Sequence, residues 1–468
     1  MRGAVTLNML DMIGVGPFIT LPLLLSAMGG PQAMLGWILG AGLAVCDGLV
    51  WAELGAAMPQ AGGSYYFLRR IYSGPSGKGT AGRFLAFLFI FQLIFSAPLS
   101  VASGCIGLSQ YAAFIWPSLA RNPATHAVRL GPYTGGVSVG LQTILAIAVV
   151  VLAIALLYRR LASLRIVAAL MWCAVMGLIG WILVTGLLHG HLSQALAFPP
   201  QAFRLSPAFF HGLASAMLIA TYDYWGYYNI TFLGGEVRDA AGTVPRAILI
   251  SIALVGLMYL AMTTSVLSVL PWQQLMGTQD IAARRAVIAV FMQHAYGTEL
   301  GPLLGKIAAA LVMIAAFASV FSLLLGYSRI PYAAARDANF FPIFGRLHRK
   351  GFPHISLLFL GAAAVCFCFF SLADVIAALV VLRILLQFLT QHVGVMLLRR
   401  SQPNLPRPFR IWLYPIPPLL AIAGFGYILF ARQNFARELL MAAVIILFGA
   451  AAFFLRERNL SAARVSDS

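Results

Sequence analysis

Charge is what this sequence has least of. Only 9% of its 468 residues are Asp, Glu, Lys or Arg, and the acids number 13. An ordinary soluble domain carries about 25% charged residues. So few charges cannot coat a water-soluble globule of this length, which leaves lipid as the main solvent. The short alternating apolar–polar segments of a membrane β-barrel are also absent. The five cysteines, at 46, 105, 173, 366 and 368, fall in or near apolar runs and read as small buried hydrophobes, not as a disulfide framework. Cys366-Phe-Cys368 has no His or acid beside it, so no metal site is expected, and no cofactor. No two histidines sit at metal-ligand spacing on one helix, and no Ser–His–acid set converges. That counts against a multipass membrane enzyme such as an acyltransferase.

What the chain has instead is apolar length. Hydrophobic residues make up 61%, arranged in twelve runs at about 5–28, 31–57, 84–115, 137–157, 163–188, 207–234, 246–270, 301–326, 355–371, 373–398, 411–430 and 438–455. About 20 apolar residues span a bilayer as a helix, and helices satisfy their own backbone hydrogen bonds there. The expected fold is therefore an all-α integral membrane protein of about twelve transmembrane helices in one integral domain. The net charge of +18 forms no basic stripe suited to nucleic acid; Lys and Arg gather at the ends of apolar runs. With the N-terminus inside, 22 of the 31 fall on the cytoplasmic side and seven outside. That bias places both termini in the cytoplasm.

Two runs are interrupted. The first contains Gly14-Val15-Gly16-Pro17 and has no convincing cleavage site, which sets it apart from a signal peptide. Glycine permits unusual dihedrals, and Pro17 removes a backbone donor. The sixth contains Thr221-Tyr-Asp-Tyr-Trp-Gly-Tyr-Tyr-Asn229, with an acid, a glycine and many aromatic groups at mid-span. First and sixth are the positions at which a 5+5 inverted repeat places its paired broken helices. Gly36-x-x-x-Gly40 reads as close helix packing, and Asn229-Ile-Thr231 as a chance glycosylation match inside a span.

Motifs flanking these spans resemble the amino acid–polyamine–organocation family of transporters. Gly14-Val-Gly-Pro-Phe18 is similar to that family's Gly-x-Gly-x-Phe segment. Trp51-Ala-Glu-Leu-Gly-Ala-Ala-Met-Pro-Gln-Ala-Gly-Gly-Ser-Tyr-Tyr-Phe-Leu-Arg-Arg70 resembles its Ala-Glu-Leu…Pro…Gly-Gly…Tyr…Arg signature. Gly235-Glu-Val-Arg-Asp-Ala-Ala-Gly-Thr-Val-Pro-Arg-Ala247 and Ser328-Arg-Ile-Pro-Tyr-Ala-Ala-Ala-Arg-Asp337 resemble two later loops. The resemblance implies a ten-helix core over residues 1–400, two peripheral helices with a short cytoplasmic tail over 401–468, and a secondary active transporter of amino acids or related amines in the cytoplasmic membrane. It implies that Gly14, Val15 and Gly16 hold the substrate's charged ends through the backbone, while Tyr222, Asp223, Tyr224, Trp225 and Gly226 shape the pocket. Exposed helix N-termini and freed carbonyls suit a carboxylate and an ammonium. A membrane sensor that binds an amino acid without moving it would use the same pocket.

Other residues carry open alternatives. Arg383, mid-way along the tenth span, either pairs with an acid, lines the pathway, or meets an aqueous vestibule. Glu53 and Glu236, at inner ends of spans, are gating candidates or ordinary interfacial acids. Asp223 is a counter-ion for a cationic substrate, a proton carrier, or an acceptor for the broken helix's N–H groups. His392 is the most buried candidate among the histidines. The fifth span lacks the lysine that proton-coupled relatives often carry, so a coupling proton is possible but unassigned.

Overall fold

Long apolar runs with no water to satisfy their backbones fold as helices, and each of the twelve runs carries one or two. The computed structural model describes residues 1–14, 16–60, 62–74, 79–120, 124–130, 133–158, 164–276, 284–431 and 435–466. In chain order the helices are α1 (Arg2–Met12), α2 (Gly16–Met28), α3 (Met34–Ala57), α4 (Ser64–Tyr72), α5 (Thr80–Ile115), α6 (Leu141–Leu157), α7 (Leu164–His189), α8 (Leu192–Ala195), α9 (Pro207–Tyr224) and α10 (Ala240–Val269). They continue as α11 (Trp272–Met276), α12 (Val287–Ala295), α13 (Gly297–Tyr327), α14 (Arg329–Arg336), α15 (His354–Phe367), α16 (Leu372–Arg383), α17 (Leu389–Ser401), α18 (Ile416–Phe430) and α19 (Phe435–Ser466). A π-helical turn, Ile384–Phe388, joins α16 to α17. Among the described residues six helical spans are long and apolar enough to cross a membrane alone, and the bent pair α1–α2, 46° apart, makes a seventh.

Four features depart from the apolar pattern. A two-stranded antiparallel hairpin, β1 (Ala124–Leu130) and β2 (Tyr133–Val139), takes the start of the expected fourth span, so α6 begins at Leu141. The sixth span is α-helical only to Tyr224; beyond it lie short 3-10 turns at Asn229–Phe232 and Gly234–Glu236. The amphipathic helices α4 and α14 fall between spans, and Arg69 of α4 bonds Asp337, just past α14, at 2.9 Å. Cys173 and Cys366 are exposed, whereas Cys105 and Cys368 are buried as expected and Cys46 is half-buried; all are free thiols.

The broken first and sixth spans face each other, with α2 packed on α9. Helix α3 lies against both α9 and α10, and α5 against α13 and α16. Small residues set the α3–α9 spacing. A Cβ on Gly36 would stand 2.9 Å from the Ala216 methyl, and one on Gly40 would stand 2.8 Å from that of Ala220. Helix α18 covers α3 and α17, and α19 covers α5 and α16.

Candidate functional site

Helix α9 starts on a cap: Ser206 Oγ accepts from the Phe209 N–H at 3.2 Å, with Pro207 in the first turn. It stops at Tyr224 because Trp225 is extended and Gly226 adopts φ 128°. A Cβ on Gly226 would stand 2.8 Å from the Asp11 carbonyl carbon and the Met12 nitrogen, so glycine lets this break lie directly on the end of α1. The accommodation is reciprocal. A Cβ on Gly16 would overlap Asp223 Oδ1, and one on Gly14 would stand 3.1 Å from Ser319 Cβ. The Tyr259 hydroxyl of α10 is shared between the Met12 carbonyl at 2.5 Å and the Asp223 carbonyl at 2.9 Å, fastening both breaks. Asn8 Oδ1 takes the Ile230 N–H at 3.1 Å, one of the donors that the broken helix frees.

Between the breaks lies a partly open cavity. The first span contributes Asp11, Met12, Gly14 and Gly16 to it, and the sixth contributes Tyr222, Asp223, Trp225, Gly226 and Asn229. Helix α13 adds Ser319, Leu323 and Tyr327, α5 adds Ser100, and α16 adds Leu379 and Arg383.

Three charged side chains line this space, and they differ in how well they are satisfied. Both oxygens of Asp11 are engaged, Oδ2 by Asn229 Nδ2 at 2.7 Å and Oδ1 by the Ser322 hydroxyl at 3.1 Å. Asp223, 2% exposed, accepts from the Thr20 hydroxyl at Oδ2 (2.5 Å), while Oδ1 has no hydrogen-bond partner among the described residues. Arg383, also 2% exposed, donates to the Tyr327 hydroxyl at 3.0 Å, that of Tyr228 at 3.2 Å, and those of Ser96 and Ser100 at 3.4 Å. Its guanidinium stands 5.4 Å from the Trp225 ring centroid and 5.2 Å from that of Tyr327. No carboxylate lies within ion-pair distance of it among the described residues. A buried cation held only by neutral groups and a buried carboxylate oxygen held by none are both costly unless something else completes them.

The structure gathers Gly14, Gly16, Tyr222, Asp223, Trp225, Gly226 and Arg383 around this cavity. Tyr224 departs from the expectation. One residue beyond Asp223 turns a helix by roughly 100°, and its hydroxyl ends on the Trp37 carbonyl of α3 at 3.1 Å. Val15 lies outside the described residues, as does the side chain of Glu236. Glu53 is away from the cavity and 1% exposed. It accepts from Arg399 Nε at 2.8 Å, Arg399 Nη2 and the Ile411 N–H at 2.8 Å, and Arg407 Nε lies within ion-pair distance at 3.4 Å, tying α3 to the end of α17 and the loop before α18. Asp223 takes no backbone N–H among the described residues, so it does not serve the broken helix in the way one expectation had it. Asp11 and Asn229 were missed. Asp11 had a signal, since it is an acid three residues before the first-span glycines; Ser100 and Ser319 had none.

A family profile described as amino acid permease matches residues 3–456. The Asc-type amino acid transporter 1 of Homo sapiens is 25% identical over 97% of this chain and 80% of its own length. The serine/threonine exchanger SteT of Bacillus subtilis (strain 168) is 24% identical over 91% and 89%. The branched-chain amino acid permease BcaP of the same strain is 26% identical over 97% and 92%.

Proposed function

The chain belongs to the amino acid permease family and is a multipass membrane transporter of amino acids, and from that premise we propose how it works: it binds a zwitterionic amino acid between its two helix breaks and moves it across the cytoplasmic membrane by alternating access. The relatives are a transporter, an exchanger and a permease, which favours transport over a sensor that only binds or a membrane enzyme. Both termini lie inside, the reading supported by the Lys and Arg bias.

One observation carries the substrate class. The cavity is lined by Asp223, whose buried Oδ1 has no hydrogen-bond partner among the described residues, and by Arg383, whose guanidinium meets no carboxylate among them. A zwitterion supplies the missing member of each pair, an ammonium for the first and a carboxylate for the second, at no net cost in charge. The free N–H groups at the start of α2 add to the carboxylate side, and the carbonyls at the end of α1 to the ammonium side. Tyr222 and Trp225 then face the substrate's side chain.

The test is counterflow of twenty radiolabelled amino acids and several polyamines by purified protein in liposomes, repeated with Asp223→Asn. Asparagine retains the acceptor for Thr20 but removes the charge that meets the ammonium, so apparent affinity should fall at least about tenfold. Wild-type exchange of polyamines without amino acids, or an unchanged affinity in Asp223→Asn, would refute the zwitterion reading.

A further inference from the structure

A second buried charge cluster lies outside the cavity. Asp47 of α3 and His392 of α17 are both fully buried, and Asp47 is about 20 Å along α3 from its start, in the interior of the Pro31–Ala57 span. His392 Nδ1 is 2.6 Å from the Phe388 carbonyl, which can only accept, so Nδ1 carries a hydrogen. Its Nε2 lies 3.1 Å from Asp47 Oδ1, within ion-pair distance but without hydrogen-bond alignment, and neither atom has a hydrogen-bond partner among the described residues. Asp47 Oδ2 accepts from the Tyr227 hydroxyl.

This geometry limits the proton count. A neutral ring with its hydrogen on Nδ1 would leave a bare Nε2 3.1 Å from a carboxylate oxygen, two acceptors in contact with no donor between them. One further proton, on Nε2 or on Oδ1, turns the repulsion into attraction and leaves the pair with no net charge. Removing it would leave a negative charge enclosed at membrane depth, a state that needs water to reach the site.

Among the described residues no lysine or arginine pairs with Asp47. From α3 the neighbour is Cys46; from the sixth-span break come Tyr227 and Tyr228, with rings 5.2 Å apart; α18 adds only the Phe425 ring, 5.7 Å from His392. From α4, Tyr72 bonds the Thr390 carbonyl and Ser64 bonds Gln391. From α9 and α10, Tyr224 and Tyr259 are bonded to the carbonyls of Trp37, Met12 and Asp223. Of the arginines, Arg383 is bonded to the Tyr228 hydroxyl and Arg399 of α17 to Glu53 of α3, neither to Asp47.

We propose that the Asp47–His392 pair is the proton site of this transporter, binding and releasing one proton in each transport cycle. It rests on the transport reading and supplies the coupling group that the fifth span lacks. The link to the substrate runs through one unwound segment. Tyr227 holds Asp47, Tyr228 holds Arg383, and Trp225 lies beside that guanidinium in the cavity wall. The added or removed proton changes whether Asp47 and His392 draw α3 and α17 together on either side of this segment. The wide π-turn Ile384–Phe388 between Arg383 and His392 places both residues on one continuous span.

The test uses liposomes of the full-length protein, voltage-clamped, with the amino acids that the wild type exchanges in counterflow as probes. A gradient of one pH unit, acid outside, should accumulate substrate up to about tenfold for one coupled proton. Asp47→Asn and His392→Gln should lose that accumulation while keeping counterflow, because neither residue lines the cavity. Tyr227→Phe keeps the ring and removes one hydroxyl, so it serves if the other variants fail to fold; it should move the pH of half-maximal exchange. Accumulation retained by a folded Asp47→Asn or His392→Gln, or an unmoved pH midpoint in Tyr227→Phe, would overturn the assignment. A wild type that exchanges amino acids but ignores the gradient would also overturn it, whereas one that exchanges none would instead refute the transport reading.

Discussion

Replacing Arg383 with glutamine separates a binding role from a structural one. The guanidinium is buried, bonded to four hydroxyls and without a carboxylate partner among the described residues. Breaking a buried ion pair costs about 3–5 kcal/mol because the partner charge is stranded. Here no partner is stranded, and Tyr327, Tyr228, Ser96 and Ser100 are neutral groups that glutamine's amide and one another can meet. Stability without substrate should therefore hold or rise. Substrate binding loses a hydrogen bond between charged groups, worth about 1.5–3 kcal/mol, which is roughly a tenfold to hundredfold weaker Kd. The two effects meet in one assay, thermal unfolding in detergent with and without amino acid. At a ligand concentration 100 times the wild-type Kd, binding stabilises the folded state by about 2.7 kcal/mol. For Kd values ten and a hundred times weaker, the same relation leaves about 1.4 and about 0.4 kcal/mol. Amine analogues lacking the carboxylate should bind wild type and variant alike. A substrate-free loss of about 3 kcal/mol or more would mean that Arg383 is a structural ion-pair partner, and unchanged ligand stabilisation would remove it from the site.

Three further outcomes are expected. Gly16→Ala places a methyl on Asp223 Oδ1 and should cost about 1–3 kcal/mol by overpacking, much of it recovered in the double variant with Asp223→Ala, as a double-mutant cycle would show. Additive effects in that cycle would mean that the two residues do not press on each other. Glu53→Gln leaves Arg399 and Arg407 without their carboxylate and should lower unfolding free energy by roughly 2 kcal/mol, read by chemical denaturation; no change would make the cluster dispensable. In a cysteine-free background, a single cysteine at Gln201 should react with an impermeant thiol reagent from outside the cell and one at Ser401 should not, both positions being exposed; the reverse would invert the topology.

Low charge and long apolar runs were enough to announce an all-α membrane protein, because in lipid few other backbones can satisfy themselves. The two breaks were equally legible, since Gly14-Val-Gly-Pro17 and the Asp223–Gly226 stretch are locally incompatible with an uninterrupted helix. Local rules could not say what each glycine makes room for. Gly16 faces Asp223, 207 positions away in the chain, and Gly226 faces the backbone of Asp11 and Met12. Nor could they orient side chains around a broken helix end, which is why Tyr224 read as a pocket residue although it turns to Trp37. The fate of each buried charge was also left to the fold. Glu53 found two arginines, Asp47 a histidine, and Arg383 only hydroxyls. Hydropathy registers that a charge lies within a span, but its cost and its use depend on which partner another helix brings to the same depth, and that is decided by packing between segments remote in sequence.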